Sequence, residues 1–152
     1  MKLKTLSLVV LTSIFLASCG GDKKDKTPTA PKKEVKKEVT LDPMQDKGVG
    51  PVKSVTIGAL DQALADKGHE LFKSKCSACH KIKKRYIGPA LKGVTKRQSA
   101  EWIMNMILNP EVMIVQNATA KALLAEFNAP MANQNLTQDE ARAIYEYFRT
   151  KE

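Results

Sequence analysis

The chain of 152 residues lacks most of what a transporter, a disulfide-stapled scaffold or a large enzyme requires. Its single long apolar block, Leu6–Ala17, is too short to cross a bilayer comfortably and has no counterpart elsewhere, which excludes a polytopic membrane protein. Three cysteines are too few for a disulfide framework. At this length one domain is expected, so separate cofactor and substrate domains cannot fit. From residue 57 to 152 no run of alternating apolar and polar residues is long enough for a sheet, which leaves an all-α domain. Aromatics make up only 5% of the chain, so the core of such a domain would be thin unless something else filled it. Acidic residues are missing altogether between Phe72 and Ala100, a stretch with nine lysines and arginines.

The N-terminus carries an address. Lys2 and Lys4 precede the apolar block, which ends in small residues, the pattern of a secretory signal peptide over 1–18. Leu16-Ala17-Ser18-Cys19 resembles a bacterial lipobox. That resemblance implies that Cys19 becomes the first mature residue and carries a thioether-linked diacylglycerol and an amide-linked acyl chain. Several acyl chains, at about 0.8 kcal/mol per buried methylene, anchor stably where one would not. Residues 19–56 are rich in Lys, Asp, Glu, Pro, Thr and Gly, with no aromatic and no helical period, and are expected to form a disordered tether. Such a tether would span about 35 Å on average and about 120 Å fully extended.

The remainder, 57–152, reads as helical. Leu60, Leu64, Leu71 and Phe72 form a stripe on a first helix, with Gly68 inside it where close backbone packing gives a reason for glycine. A middle helix is expected from Ser99 as N-cap through Trp102, Ile103, Met106 and Ile107, stopped by Asn109-Pro110. A short helix covers Thr119–Phe127. A last one begins at a capping box, Thr137 to Glu140, and places Ala141, Ile144, Tyr145 and Phe148 on one face.

Cys76-Ser77-Ala78-Cys79-His80 is C-x-x-C-H, the signature of c-type haem attachment. On a helical turn residues i, i+3 and i+4 face one way, so two thiols can meet the two vinyl groups of a haem while the imidazole of His80 meets the iron. A thioredoxin-like pair would need a strand–helix–strand setting that is missing. A zinc site would need further ligands, and His69, read as a surface residue, is the sole other histidine.

With these features in hand, residues 58–152 resemble a monohaem class I cytochrome c domain. The matching features are Gly68 and Phe72, the C-x-x-C-H motif, Gly88-Pro89-Ala90-Leu91-Lys92-Gly93, the methionine of Pro130-Met131, and a last helix with Tyr145 and Phe148. Lys81 stands where many members carry glycine. The resemblance implies a small helical domain wrapped around one covalent haem c. It also implies first and last helices that cross near Gly68, and a Pro89 carbonyl that accepts a hydrogen bond from His80, raising the basicity of the ligand.

A sixth ligand would decide between carrier and catalyst. Met131 sits on a loop before the Thr137 cap, stiffened by Pro130, and is the expected ligand. Met113, placed in the loop after the middle helix, and an open or bis-imidazole iron are the alternatives; Met104 and Met106 sit inside the helix as core filler. Iron held by His80 and Met131 has no vacant site, and Met/His ligation raises the potential. A pocket of Leu91, Trp102, Ile103, Leu123 and Phe127 would act in the same direction.

The expected function is a membrane-anchored one-electron carrier, not an enzyme, on the periplasmic side of a bacterial membrane. The other readings are an open-haem enzyme or gas-sensing haem lipoprotein, and a haem-free structural lipoprotein. The cluster Lys73, Lys75, Lys81, Lys83, Lys84, Arg85, Lys92, Lys96 and Arg97 suggests a positive ring for acidic redox partners, an upstream donor and a terminal reductase or oxidase. Nucleic acid is not expected for an exported chain.

Overall fold

The computed structural model describes residues 42–152, so the expected signal peptide, Cys19 and the expected tether up to residue 41 lie outside the described residues. The described residues contain five α-helices and no strand: α1 (Gln62–Leu71), α2 (Ala100–Leu108), α3 (Pro110–Gln116), α4 (Ala118–Phe127) and α5 (Gln138–Arg149). A π-helical turn, Phe72–Cys76, extends α1, and a 3-10 turn, Val94–Lys96, precedes α2.

Helix boundaries follow from side chains that satisfy the orphan amides of the first turn. Asp61 caps α1 by accepting from the Leu64 amide at 2.9 Å, so Leu60 stands before the helix and is 45% exposed instead of starting its stripe. Ser99 caps α2 through the Trp102 amide at 3.0 Å. Asn109-Pro110 ends α2 as expected, but Pro110 also starts α3, the first-turn position where its missing N–H costs nothing. Met113, expected in a loop, is therefore helical and fully buried. Thr137 and Glu140 form the full capping box at the start of α5.

Helices α1 and α5 cross at Gly68. A Cβ at Gly68 would overlap the backbone carbonyl of Ala143, so only a hydrogen lets the two backbones meet. Around the crossing, Phe72 packs on Tyr147 and Phe148 with ring centroids 5.4 and 5.9 Å apart. His69 is on the surface, its ring stacked on Tyr147 at 4.8 Å.

Residues 42–56 do not behave as the final part of a disordered tether. They form a strap laid over α2 and α3, with Val52 only 4% exposed and Val49 and Val55 packed against the core. Its backbone is satisfied by side-chain amides in place of a ladder. Asn105 receives the Val52 amide and donates to the Lys47 and Val52 carbonyls, all at 2.9 Å. Asn109 donates to Val49 O at 3.1 Å, and Asn117 donates to the Asp46 carboxylate at 2.7 Å. The continuation to Ala59 is held by α5. Arg142 donates to Thr56 O at 3.0 Å and Arg149 to Gly58 O at 3.0 Å, while both arginines clamp the wholly buried carboxylate of Glu146. A buried carboxylate persists only when paired and hydrogen-bonded, and two guanidiniums meet that requirement.

Candidate functional site

The π-helical turn delivers Cys76 into one further turn of chain. Cys79 N and His80 N both donate to Cys76 O, at 3.1 and 2.9 Å. This single turn sets both sulfurs and the imidazole against one cavity of about 310 Å³. The Cys76 side is half-buried and Cys79 is exposed. Burial, with the neighbouring Cys79 second, pushes the Cys76 thiol up to about 11.

His80 is oriented by its neighbours. Its Nδ1 lies 3.2 Å from Pro89 O, so an Nδ1–H donates to that carbonyl and Nε2 is left with a bare lone pair. Burial holds the imidazole below its ordinary range, opposed by the Pro89 bond, and this keeps it neutral and available as a ligand. Gly88 packs against the same ring. Its Cβ, if it had one, would meet Cε1, with Nδ1 2.8 Å away, and its own amide donates to Cys79 O at 2.9 Å. Gly88 opens the Gly88–Gly93 stretch that carries the family resemblance, but its contact with the imidazole is visible only once the ring is placed.

Met131 lines the same cavity from the loop between α4 and α5. That loop is shaped by asparagines: Asn128 ends α4 in the left-handed region at φ 49°, and Asn133 receives the Asn135 amide at 2.8 Å. Met113 does not line the cavity. Its sulfur accepts the Val49 amide of the strap at 3.0 Å. Leu91, Trp102, Ile103, Leu123 and Phe127 all line the cavity as expected, and Ile144 and Phe148 of α5 complete an apolar wall. The Trp102 indole is fixed by its N–H to Asn117 Oδ1 at 3.1 Å.

The donor set fits a covalent haem: two thiols one turn apart, a neutral imidazole with one free nitrogen, a thioether from a separate loop, and walls that are apolar almost throughout. No group of three or more His, Cys, Asp or Glu among the described residues could hold a bare metal ion, so zinc has no constellation there.

The basic cluster is partly consumed. Arg85 pairs with Glu126 at 2.7 Å and lies over the Phe127 ring at 3.9 Å, and Lys96 pairs with Glu152 at 3.0 Å. Lys73 sits 3.7 Å from Glu70, and Arg97 donates to the Lys92 and Ala90 carbonyls. Lys81 donates to Ser77 O at 2.6 Å and lies over the Tyr86 ring, and Lys75, Lys81, Lys83, Lys84 and Lys92 form no ion pair with an acidic residue among the described residues. Tyr86 and Ile87, between this cluster and Gly88, are 54% and 49% exposed.

The profile described as "Cytochrome c" matches residues 65–152, more than half of the chain. A cytochrome c-551 of Stutzerimonas stutzeri is 48% identical over 42 residues, 27% of this chain, and the chain covers 40% of that relative's length. A cytochrome c-551 of Ectopseudomonas mendocina is 31% identical over 84 residues, covering 55% of this chain and 95% of the relative. Among solved structures, a cytochrome c from Rhodothermus marinus superposes with a TM-score of 0.65 at 46% identity, over 66% of this chain and 88% of its own.

Proposed function

The chain belongs to the cytochrome c family and carries one covalently attached haem c in an all-α domain; from this we propose that it is a membrane-anchored electron carrier in which Cys76 and Cys79 hold the haem, with His80 and Met131 as axial ligands. One observation carries the reading: both cysteines, the oriented imidazole and Met131 line one largely apolar cavity. The bound haem supplies one-electron chemistry between ferric and ferrous iron. The protein's residues do the rest. Pro89 O keeps the imidazole of His80 in one tautomer and raises its basicity. Leu91, Trp102, Ile103 and Phe148 exclude water, which disfavours the extra charge of the oxidised state. With His80 and Met131 both bound to the iron, no coordination site would remain for a substrate, and the chain would act as a carrier without an enzymatic step.

The anchor is the lipid expected on Cys19 after removal of 1–18, which puts the domain on the periplasmic side of a bacterial membrane. Among the described residues no helix is long and apolar enough to cross a membrane. Because the strap begins at residue 42, the linker is residues 19–41, with an extended reach of about 80 Å. Its partners are acidic redox proteins, an upstream donor and a terminal reductase or oxidase, met by Lys75, Lys83, Lys84 and Lys92.

The test is a pyridine haemochrome assay on protein exported in a haem-ligating host, followed by a redox titration under carbon monoxide. One haem per chain that survives acid–acetone extraction, a one-electron wave and no carbon monoxide adduct are expected. A haem lost on extraction would overturn covalent attachment. A carbon monoxide adduct would instead favour an open-haem enzyme or sensor.

A further inference from the structure

Asp46 of the strap holds the starts of two helices at once. Its backbone carbonyl accepts the hydroxyl of Ser99, the N-cap of α2, whose amide also donates to Pro43 O at 3.3 Å. Its carboxylate takes the Gly48 amide on Oδ1 at 2.8 Å and the side-chain amide of Asn117 on Oδ2 at 2.7 Å. Asn117 is the N-cap of α4. Both helices line the haem cavity, through Trp102, Ile103 and Met106 from α2 and Leu123, Leu124 and Phe127 from α4.

Asn117 is buried, and its side chain serves three partners. Oδ1 receives the Ala120 amide at 3.0 Å and the Trp102 indole N–H at 3.1 Å, while Nδ2 donates to Asp46. A carboxylate can only accept and the other two partners can only donate, so this orientation of the amide alone satisfies all three. An amide that donates to a carboxylate becomes a better acceptor at its own oxygen, because hydrogen bonds in a chain polarise one another. The charge on Asp46 thus reaches Trp102, a buried residue of the cavity wall, through one side chain. Ser99, Trp102 and Asn117 lie within the family match over residues 65–152, whereas Asp46 precedes it.

We propose that Asp46 is a positioning residue for electron transfer: through Asn117 it holds the Trp102 indole in the wall of the haem cavity, and so a residue of the strap tunes the reduction potential. This rests on the haem reading above. A loosened indole admits water beside the haem, and water favours the oxidised state, so by this route Asp46 keeps the potential high. Its own negative charge acts directly on the iron in the opposite sense. The two effects are separable, because only the first needs the indole N–H.

Trp102 is the one tryptophan of the chain, so ultraviolet resonance Raman spectra of the purified holoprotein read its N–H hydrogen bond alone. Asp46→Ala, first shown to hold one haem by pyridine haemochrome, should move the hydrogen-bond-sensitive indole mode toward that of a more weakly bonded indole. Asn117→Ser, which leaves α4 a capping hydroxyl, should move it further the same way. Potentiometry then closes a double-mutant cycle with Trp102→Phe, which keeps a ring but has no N–H. In the Trp102→Phe background Asp46→Ala should raise the potential, since only the lost charge acts there. In the wild-type background it should raise the potential less, or lower it. An indole mode at the wild-type frequency in Asp46→Ala, or equal rises in both backgrounds, would overturn the proposal while leaving haem attachment intact. If Trp102→Phe fails to retain haem, the Raman comparison alone decides. Haem missing from the wild-type protein would instead overturn the reading on which the proposal rests.

Discussion

At the scale of single residues the site depends on few atoms. His80 is held by the Pro89 carbonyl at Nδ1, and the absence of a side chain at Gly88 leaves room for the ring. Gly88→Ala drives a methyl group into the imidazole, and overpacking of this kind costs about 1–3 kcal/mol. The ring must turn off Pro89 O, which weakens it as a donor and favours ferrous iron. Thermal melting and potentiometry of the Gly88→Ala holoprotein should therefore show reduced stability together with a raised potential; an unchanged potential would place the effect in packing alone. Much of this scale was legible in the sequence. Cys76, Cys79, His80, Pro89 and Met131 share one cavity because their spacing encodes a turn and two loops. The contact of Gly88 with the ring escaped, since a glycine pressed on an imidazole is a property of the third dimension.

At the scale of elements, capping chemistry was readable and register across a proline was not. Ser99 and Thr137 announce α2 and α5 because their side chains replace backbone acceptors that the first turn lacks. Pro110 reads equally as a stop and as a start, so α3 was missed and Met113 misplaced. The strap was hidden for another reason. Its backbone partners are Asn105, Asn109 and Asn117, residues on other elements, and its composition is that of a linker. Val49, Val52 and Val55, spaced by three, were the available signal. Asn105→Ala removes three bonds to the strap and should destabilise the protein by about 2–4 kcal/mol. Urea unfolding measures the loss, and limited trypsin digestion should newly cut at Lys47 and Lys53. A strap as protected as in wild type would contradict its dependence on that side chain.

At the scale of the whole molecule, function is a matter of where charge and apolar surface meet solvent. Lys83 and Lys84 lie without acidic partners among the described residues beside the exposed Tyr86 and Ile87, one loop from His80. Arg85, Lys96 and Arg97 are engaged in contacts within the protein, so the steering surface is narrower than the sequence suggests. Lys83→Glu/Lys84→Glu should slow electron transfer to an acidic partner by roughly tenfold at low ionic strength, with the difference fading as salt rises. Stopped-flow rates across ionic strength check this, and parallel salt dependences for both proteins would contradict it. The central claim, however, is that iron in this fold is clamped between an imidazole and the thioether of one particular loop. The ferric protein's far-red iron–sulfur charge-transfer band reports that bond directly. It should be present in wild type and in Met113→Leu, and absent from Met131→Ala, which should then bind carbon monoxide. A band that persists in Met131→Ala would contradict the account.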